Sequence, residues 1–256
     1  MENGVPIRAV SRSISVLQAI NRHGSLSMMA IARQGKLPYP TAFRIVQTLI
    51  HEGLVEQEPA RKRYRPTALV QSLANGYNAQ SRIAEVARPH MSDFTRQMGW
   101  PLFVSVRVGT QMVVRESTHA ETSLTFDLCH PGVTIPLLTS ATGHALLSTI
   151  PDDELEELVT WVNRERPDTG HVELETLRRS VTEVRHNGYG ARPCASSART
   201  SSIAVPIACD EDTEAVLTMT YFNAAMKQQT AIERYATPLR VSASKIAESV
   251  RSMAVN

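Results

Sequence analysis

Thr41, Arg44, Gln47 and Thr48 lie along one stretch at helical spacing, and four cations, Arg61, Lys62, Arg63 and Arg65, crowd a short segment soon after. These side chains recognise by hydrogen bond and charge and do no covalent chemistry here. An arginine offers a two-pronged fork to guanine, a glutamine pairs with adenine, and a threonine meets a phosphate or a thymine methyl. Cations at a loop tip suit backbone phosphates or an adjacent minor groove. Residues 1–70 hold 10 Lys/Arg against 4 Asp/Glu, whereas the remainder holds 17 against 21. The net charge of +2 therefore conceals a basic head on a mildly acidic body, the distribution a polyanion attracts.

Residues able to do covalent or metal chemistry do not assemble into a pattern. No GxSxG, Walker loop, HExxH or GxGxxG occurs. His119, His130 and His144 lack metal-ligand spacing, and Asp152, Asp153, Glu154, Glu156 and Glu157 read as the acidic start and solvated face of a helix. Cys129 precedes His130, but neighbours on a strand point to opposite faces. The expectation is a non-enzyme without cofactor or metal. An enzyme built on the second half stays open as an alternative, which turnover of a ligand would reveal. A head that binds RNA or protein is a third, marked by weak, duplex-indifferent binding.

The elements that must position the first group follow from periodicity. Val10, Ile14, Leu17 and Ile20 predict a helix burying one stripe and ending near Gly24. Ser27 caps a second, with Met28, Ile31 and Ala32 inward and Gly35 taking the left-handed turn that ends it. Pro40 is placed as a first helical residue. Ala42, Ile45, Val46 and Leu49 make the inward stripe of a third helix over 40–51, which leaves Tyr39, Thr41, Arg44, Gln47 and Thr48 outward. Leu54–Glu58 and Arg63–Thr67 read as a hairpin. Three helices and a basic hairpin in this order form a winged helix-turn-helix, with double-stranded operator DNA as its expected partner.

Further on, Leu69, Leu73 and Tyr77 continue a helical stripe, read as a linker. A helix over 83–98 contains Pro89, a kink or boundary signal. Leu102–Val108 and Met112–Glu116 flank the Gly109-Thr110 turn, Ser123–Leu128 reads as a third strand, and Ser140 caps a short helix. Helices over 151 onward, 174–186 and 231–253 and a hairpin of 201–209 with 215–222 complete the body. Hairpin-joined strands with separate helices predict an α+β domain with an antiparallel sheet. Three scattered cysteines, no signal peptide and no membrane-length apolar run place the expected protein in the cytoplasm, away from membranes.

LSMMAIARQGKLPYPTAFRIVQTLIHEGLV and RKRYRPT resemble the helix-turn-helix and wing of the IclR family of bacterial regulators, notably at Leu37-Pro38, Thr41, Arg44 and Thr48-Leu49. GVTIPLLTSATGHALLS is similar to that family's G-x-x-x-P-L-x-x-x-A-x-G-K-A-x-L segment, and Gly188-Tyr189 followed by SIAVPI to its second signature. Pro40 stands where the family has Ser, and the family's acidic residue after Gly-Tyr is missing from GARPCASSART.

The resemblance implies a GAF-like body that binds a small effector, and assembly as a homodimer or homotetramer. WPLFVSV and VVRESTH look closest to the branch controlling catabolism of aromatic acids, which points to a small aromatic carboxylate. It further implies that residues from Tyr39 to Thr48 enter the major groove, and the expected DNA contacts are Ser27, Tyr39, Thr41, Arg44, Gln47 and Thr48 with the wing cations Arg61, Lys62, Arg63 and Arg65. Pocket positions carried over are Ala141, Thr142, Thr200 and Ser202, where the start of a helix would meet a carboxylate with unpaired N–H groups. Arg107 and Arg115 are candidates to add a guanidinium. The expected division is 8–68 for the DNA-binding domain, 69–82 for a linker helix and 83–256 for the effector and oligomerisation domain.

Overall fold

The computed structural model describes residues 7–59, 61–74, 81–124, 129–165, 171–194, 197–208 and 214–254. The chain divides into two units, Met1–Asn78 and Ala79–Asn256. In the first, α1 (Arg8–His23), α2 (Met28–Gln34) and α3 (Tyr39–His51) pack around Val16, Ile20, Ile31, Ala42 and Val46. A small antiparallel sheet closes the unit, with β3 (Arg63–Pro66) between β1 (Leu26–Ser27) and β2 (Val55–Gln57).

Three local expectations need correction. The buried side of α1 carries Val16 and Ile20, while Val10 and Ile14 are each 52% exposed. Both sets fit a helical period, and only the placement of α2 and α3 decides which one is covered. Gly35 is right-handed; Lys36 takes the positive φ of 50° that turns the chain out of α2. Side chains bear such a φ only when their surroundings hold it, and here the Leu37 N–H donates to the Ala32 carbonyl at 2.9 Å just beyond. α3 begins one residue before Pro40, with Pro38 as its cap. In the 69–82 stretch, the chain forms a 3-10 helix over Ala68–Ala74, and residues 75–80 lie outside the described set, as does Tyr77 of the linker stripe.

The second unit is built on a six-stranded antiparallel sheet in the order β6-β5-β4-β9-β8-β7. Its strands are β4 (Leu102–Val108), β5 (Gln111–Ser117), β6 (Thr134–Pro136), β7 (Gly190–Cys194), β8 (Ser197–Ala208) and β9 (Glu214–Phe222). One face, with Leu102, Val104, Ile203, Leu217 and Met219, packs on α4 (Ser81–Met98) and α8 (Gln228–Ala254). The other face meets α5 (Ala141–Leu147), with α6 (Asp152–Glu165) and α7 (Leu174–Asn187) in the same core as Met112, Ala204 and Val216. Coverage on both sides explains why β4 reads as a continuous apolar run.

Pro89 does not end α4, because buried residues on both sides of it, Val86 and Ala87 before and Met91 and Phe94 after, hold the helix to the sheet. Ser123 and Leu124 are not in a strand, and 125–128 lie outside the described residues. The strand beside β5 is instead Thr134–Pro136, within the G-x-x-x-P-L segment. The stretch after Gly188-Tyr189 contributes β7, paired with β8 from Gly190↔Ala204 onward.

Candidate functional site

On α3, Ala42, Val46 and Leu49 are buried, and Tyr39, Arg44, Gln47 and Thr48 are exposed, with Thr41 half-buried. The sequence reading missed Phe43, whose exposed ring lies nearly parallel to that of Tyr39, 14° between planes and 6.5 Å between centroids. An aromatic outside the inward stripe was the available signal. Arg44 has no side-chain partner among the described residues, while the Thr48 hydroxyl donates to the Arg44 carbonyl at 3.0 Å. Ser27 spends its hydroxyl on α2, accepting from the Ala30 N–H at 3.3 Å.

The four cations of the hairpin separate into two kinds. Arg63 Nε donates to Ser25 Oγ at 3.0 Å and its Nη2 to the Ser25 carbonyl at 2.5 Å, while Ser25 Oγ donates to Glu58 at 2.6 Å. Arg65 Nε lies 2.6 Å from Glu56 Oε1. Arg61 and Lys62 are exposed, and their side chains have no partner among the described residues. Arg65 is thus ion-paired, Arg63 is held by Ser25, and two cations of the wing are left with uncommitted side chains among the described residues. Neutralising both as Gln is expected to weaken binding to every duplex and to reduce the slope of log affinity against log salt by about 0.9 for each phosphate no longer neutralised. An unchanged slope in a salt titration would show that the wing does not meet the backbone.

In the body, directly paired residues of an antiparallel sheet share a face. The pairs Ser202↔Thr220, Ala204↔Thr218 and Ser105↔Val216 therefore place Ser202, Thr218, Thr220 and Ser105 on the side facing α5. Thr142 of α5 lies 3.1 Å from Thr218 Oγ1, Ser202 lies 3.2 Å from Thr220 Oγ1, and Cys194 Sγ lies 3.0 Å from Ser202 Oγ. The fold thus joins Thr142 and Ser202 through two threonines that the sequence reading did not single out. Their signal was the alternation in EAVLTMTYF, where Thr218 and Thr220 occupy the face opposite Leu217, Met219 and Tyr221. Thr200 and Ser105 are fully buried, and their hydroxyls have no protein partner among the described residues. A buried hydroxyl without a partner costs about 1–3 kcal/mol, which a bound polar group offsets.

The start of α5 has less to give than expected. Ser140 Oγ accepts the Gly143 N–H at 2.9 Å, and the helix is only seven residues long. Ala141 is buried with its carbonyl against Gly190. Arg107 is also committed, to Glu154 at 3.6 Å and to the Gly109 carbonyl at 3.2 Å. Arg115 is half-buried at the irregular step between β4 and β5.

Covalent chemistry finds no support in this unit. Burial, helped by Cys194, pushes the Cys129 thiol up to about 12, so it stays protonated and is a poor nucleophile. Burial likewise holds the imidazoles of His144 and His119 down at about 4, helped by Arg192 and by His130 respectively and opposed for His144 by its bond to Leu138. Among the described residues no cluster of three or more His, Cys, Asp or Glu is placed to hold a metal. None of the described helices is long and apolar enough to cross a membrane.

A three-helix head with a wing, followed by an α+β unit with a polar patch on its sheet, defines a helix-turn-helix regulator with an effector-binding domain. Family models agree: the IclR helix-turn-helix domain matches residues 9–59, and the bacterial transcriptional regulator IclR C-terminal domain matches 76–248. The chain belongs to the IclR family of bacterial transcriptional regulators, and it is not an enzyme.

It is 27% identical over 186 residues to the transcriptional repressor AllR of Klebsiella pneumoniae, covering 71% of this chain and 67% of that one. It is 25% identical over 190 residues to the regulator TtgV of Pseudomonas putida, covering 72% and 70%. Among solved structures, an IclR homolog from Microbacterium hydrocarbonoxydans complexed with 4-hydroxybenzoate superposes with a TM-score of 0.68 at 25% identity, covering 95% and 99%. Thermotoga maritima IclR shares the fold, with a TM-score of 0.65 at 20% identity, covering 93% and 97%.

Proposed function

We propose that this regulator reads an operator through α3 and the wing, and that its body senses a small aromatic carboxylate. The observation that carries the first part is the outward row Tyr39, Arg44, Gln47 and Thr48 on a helix held by a buried stripe. On this reading 8–68 is the DNA-binding domain, 69–82 the connector and 83–256 the effector and oligomerisation domain. Thr142, Thr200 and Ser202, joined by Thr218 and Thr220, line the effector site beside Ala141. The 4-hydroxybenzoate bound by the Microbacterium homolog supports an aromatic acid, and the hydroxyl-rich face supplies donors and acceptors for its polar ends. Arg115 remains the hairpin guanidinium to test against the carboxylate.

A single winged helix covers too little DNA for useful specificity. The apolar seam of Val10 and Ile14 on α1, with Ile7 just before it, is exposed, which supports pairing with a second copy and reading of an inverted repeat in the cytoplasm. Ligand and DNA are coupled only if the two states of the assembly bind the acid unequally.

The test is binding to duplex from the gene's own upstream intergenic region against random duplex, with and without 4-hydroxybenzoate. Arg44→Ala is expected to remove about 1–3 kcal/mol of discrimination per half-site, and the acid is expected to shift wild-type affinity. Discrimination that survives Arg44→Ala removes that residue from base readout. Equal, weak binding to duplex and RNA by the wild type would reassign the head.

A further inference from the structure

Two aromatic rings of α3 stay outside the core that joins α1, α2 and α3. Tyr39 is 47% exposed and Phe43 42%, and the two rings are stacked, 6.5 Å between centroids. A lone exposed apolar side chain needs no explanation; a stacked pair on the side of a helix turned to a ligand does. Tyr39 and Phe43 are one turn apart, and Gln47 follows a turn later, so the three form one row along α3. Arg44 and Thr48, each one position on, form the row beside it. Phe43 thus sits among the side chains read as base contacts, with the Tyr39 ring limiting its movement. No acidic residue occurs over Tyr39–His51, and residues 1–70 hold 10 Lys/Arg against 4 Asp/Glu. A second copy laid on this face would bring another basic head against it, a repulsion that a polyanion does not meet.

A phenyl ring has no conventional hydrogen-bonding group. Of the features that base edges present in a major groove, the one apolar group is the C5-methyl of thymine. We propose that Phe43 is a specificity-determining residue that reads a thymine methyl in each half-site, braced by Tyr39. The proposal rests on the reading of α3 as the helix that enters the groove, and adds an apolar contact to its polar row. Arg44 and Gln47 sense donors and acceptors, whereas Phe43 senses a methyl that cytosine lacks. Stacking on Tyr39 matters because a ring already restrained loses less side-chain freedom on binding.

The test uses the full chain and duplex from the gene's own upstream intergenic region, with one thymine at a time replaced by deoxyuridine. That replacement removes the methyl and leaves every hydrogen-bonding group of the base in place. For the wild type, losing the methyl at one position per half-site is expected to weaken binding about fourfold, the worth of burying one such group. Phe43→Ala is expected to bind the unmodified duplex about fourfold more weakly or worse, and to be indifferent to deoxyuridine at that position. Phe43→Leu, still apolar, is expected to stay sensitive to it. Alanine is favoured at an exposed helix position, and unfolding midpoints near the wild type's show that the head is intact. The proposal alone is overturned if the wild type separates this duplex from random DNA and yet no single methyl matters. It is equally overturned if Phe43→Ala keeps the full sensitivity, as it would were Thr48 the reader. A change of assembly size for Phe43→Ala in sedimentation would place the ring in a protein contact and overturn it too. A wild type that does not separate the duplex from random DNA removes the reading of α3 itself, and the thymine contact with it.

Discussion

Gly143→Ala is expected to destabilise the second unit by about 4 kcal/mol or more, at the extreme of single substitutions. Helix propensity alone predicts the opposite sign, since alanine in a helix is favoured over glycine by about 1 kcal/mol. The geometry decides the matter. A Cβ on Gly143 would stand 1.7 Å from the Leu137 carbonyl oxygen and 2.5 Å from its carbon. Both are backbone atoms, so no side-chain rotation relieves the overlap, and α5 has to lift away from the sheet. Lifting it also separates Thr142 from Thr218, which are 3.1 Å apart. With a domain stability of about 5–15 kcal/mol, such a loss lowers the unfolding midpoint by roughly 10 °C or more. Thermal unfolding followed by circular dichroism reads the effect directly. A variant melting with the wild type would mean that α5 does not sit this close to the Leu137 segment.

Acid should weaken the same unit in a defined window. His144 and His119 are buried, and burial holds both near 4, against 6.5 for an unperturbed imidazole. In the unfolded chain each picks up a proton as pH falls through about 6.5; in the fold each resists until about 4. Between those values the unfolded state binds more protons, so stability decreases as pH is lowered. It is fully present above about 6.5 and its loss is complete below about 4. Each shift corresponds to about 3 kcal/mol, so the pair removes about 6 kcal/mol across the window. Urea unfolding at a series of pH values should give a slope approaching two protons. His119→Gln and His144→Gln should each remove one. A flat profile between pH 6.5 and 4.5 would show both rings protonating freely in the fold.

The head was largely readable from its residues. Ala42, Val46 and Leu49 repeat at helical spacing with polar residues between, and one short helix cannot bury two faces, so the outward row followed directly. The same logic misjudged α1. Val10, Ile14 and Leu17 form as good a stripe as the buried Val16 and Ile20, and periodicity cannot say which of two stripes a neighbour will cover. The wing shows a related limit. Four cations were visible, but the carboxylates of Glu56 and Glu58 that engage Arg65 directly and Arg63 through Ser25 become neighbours only when the hairpin closes.

The body's polar site was less accessible still. Thr142 and Ser202 are 60 positions apart in sequence, and they come together only through Thr218 and Thr220 on the central strand β9. Arg192 lies in GARPCASSART, the stretch from which the family's acidic residue after Gly-Tyr is missing. Its setting depends on β7 pairing at the sheet edge and on His144 reaching across from α5.

Residue order alone established the class of each unit, the outward side of α3, the basic head and the alternating strands, because those depend on neighbours within a few positions. Folding in three dimensions chose the buried stripe of α1, tied down two of the wing's four cations and assembled the hydroxyl face. Those outcomes rest on interactions between distant segments, whose energies no local period encodes.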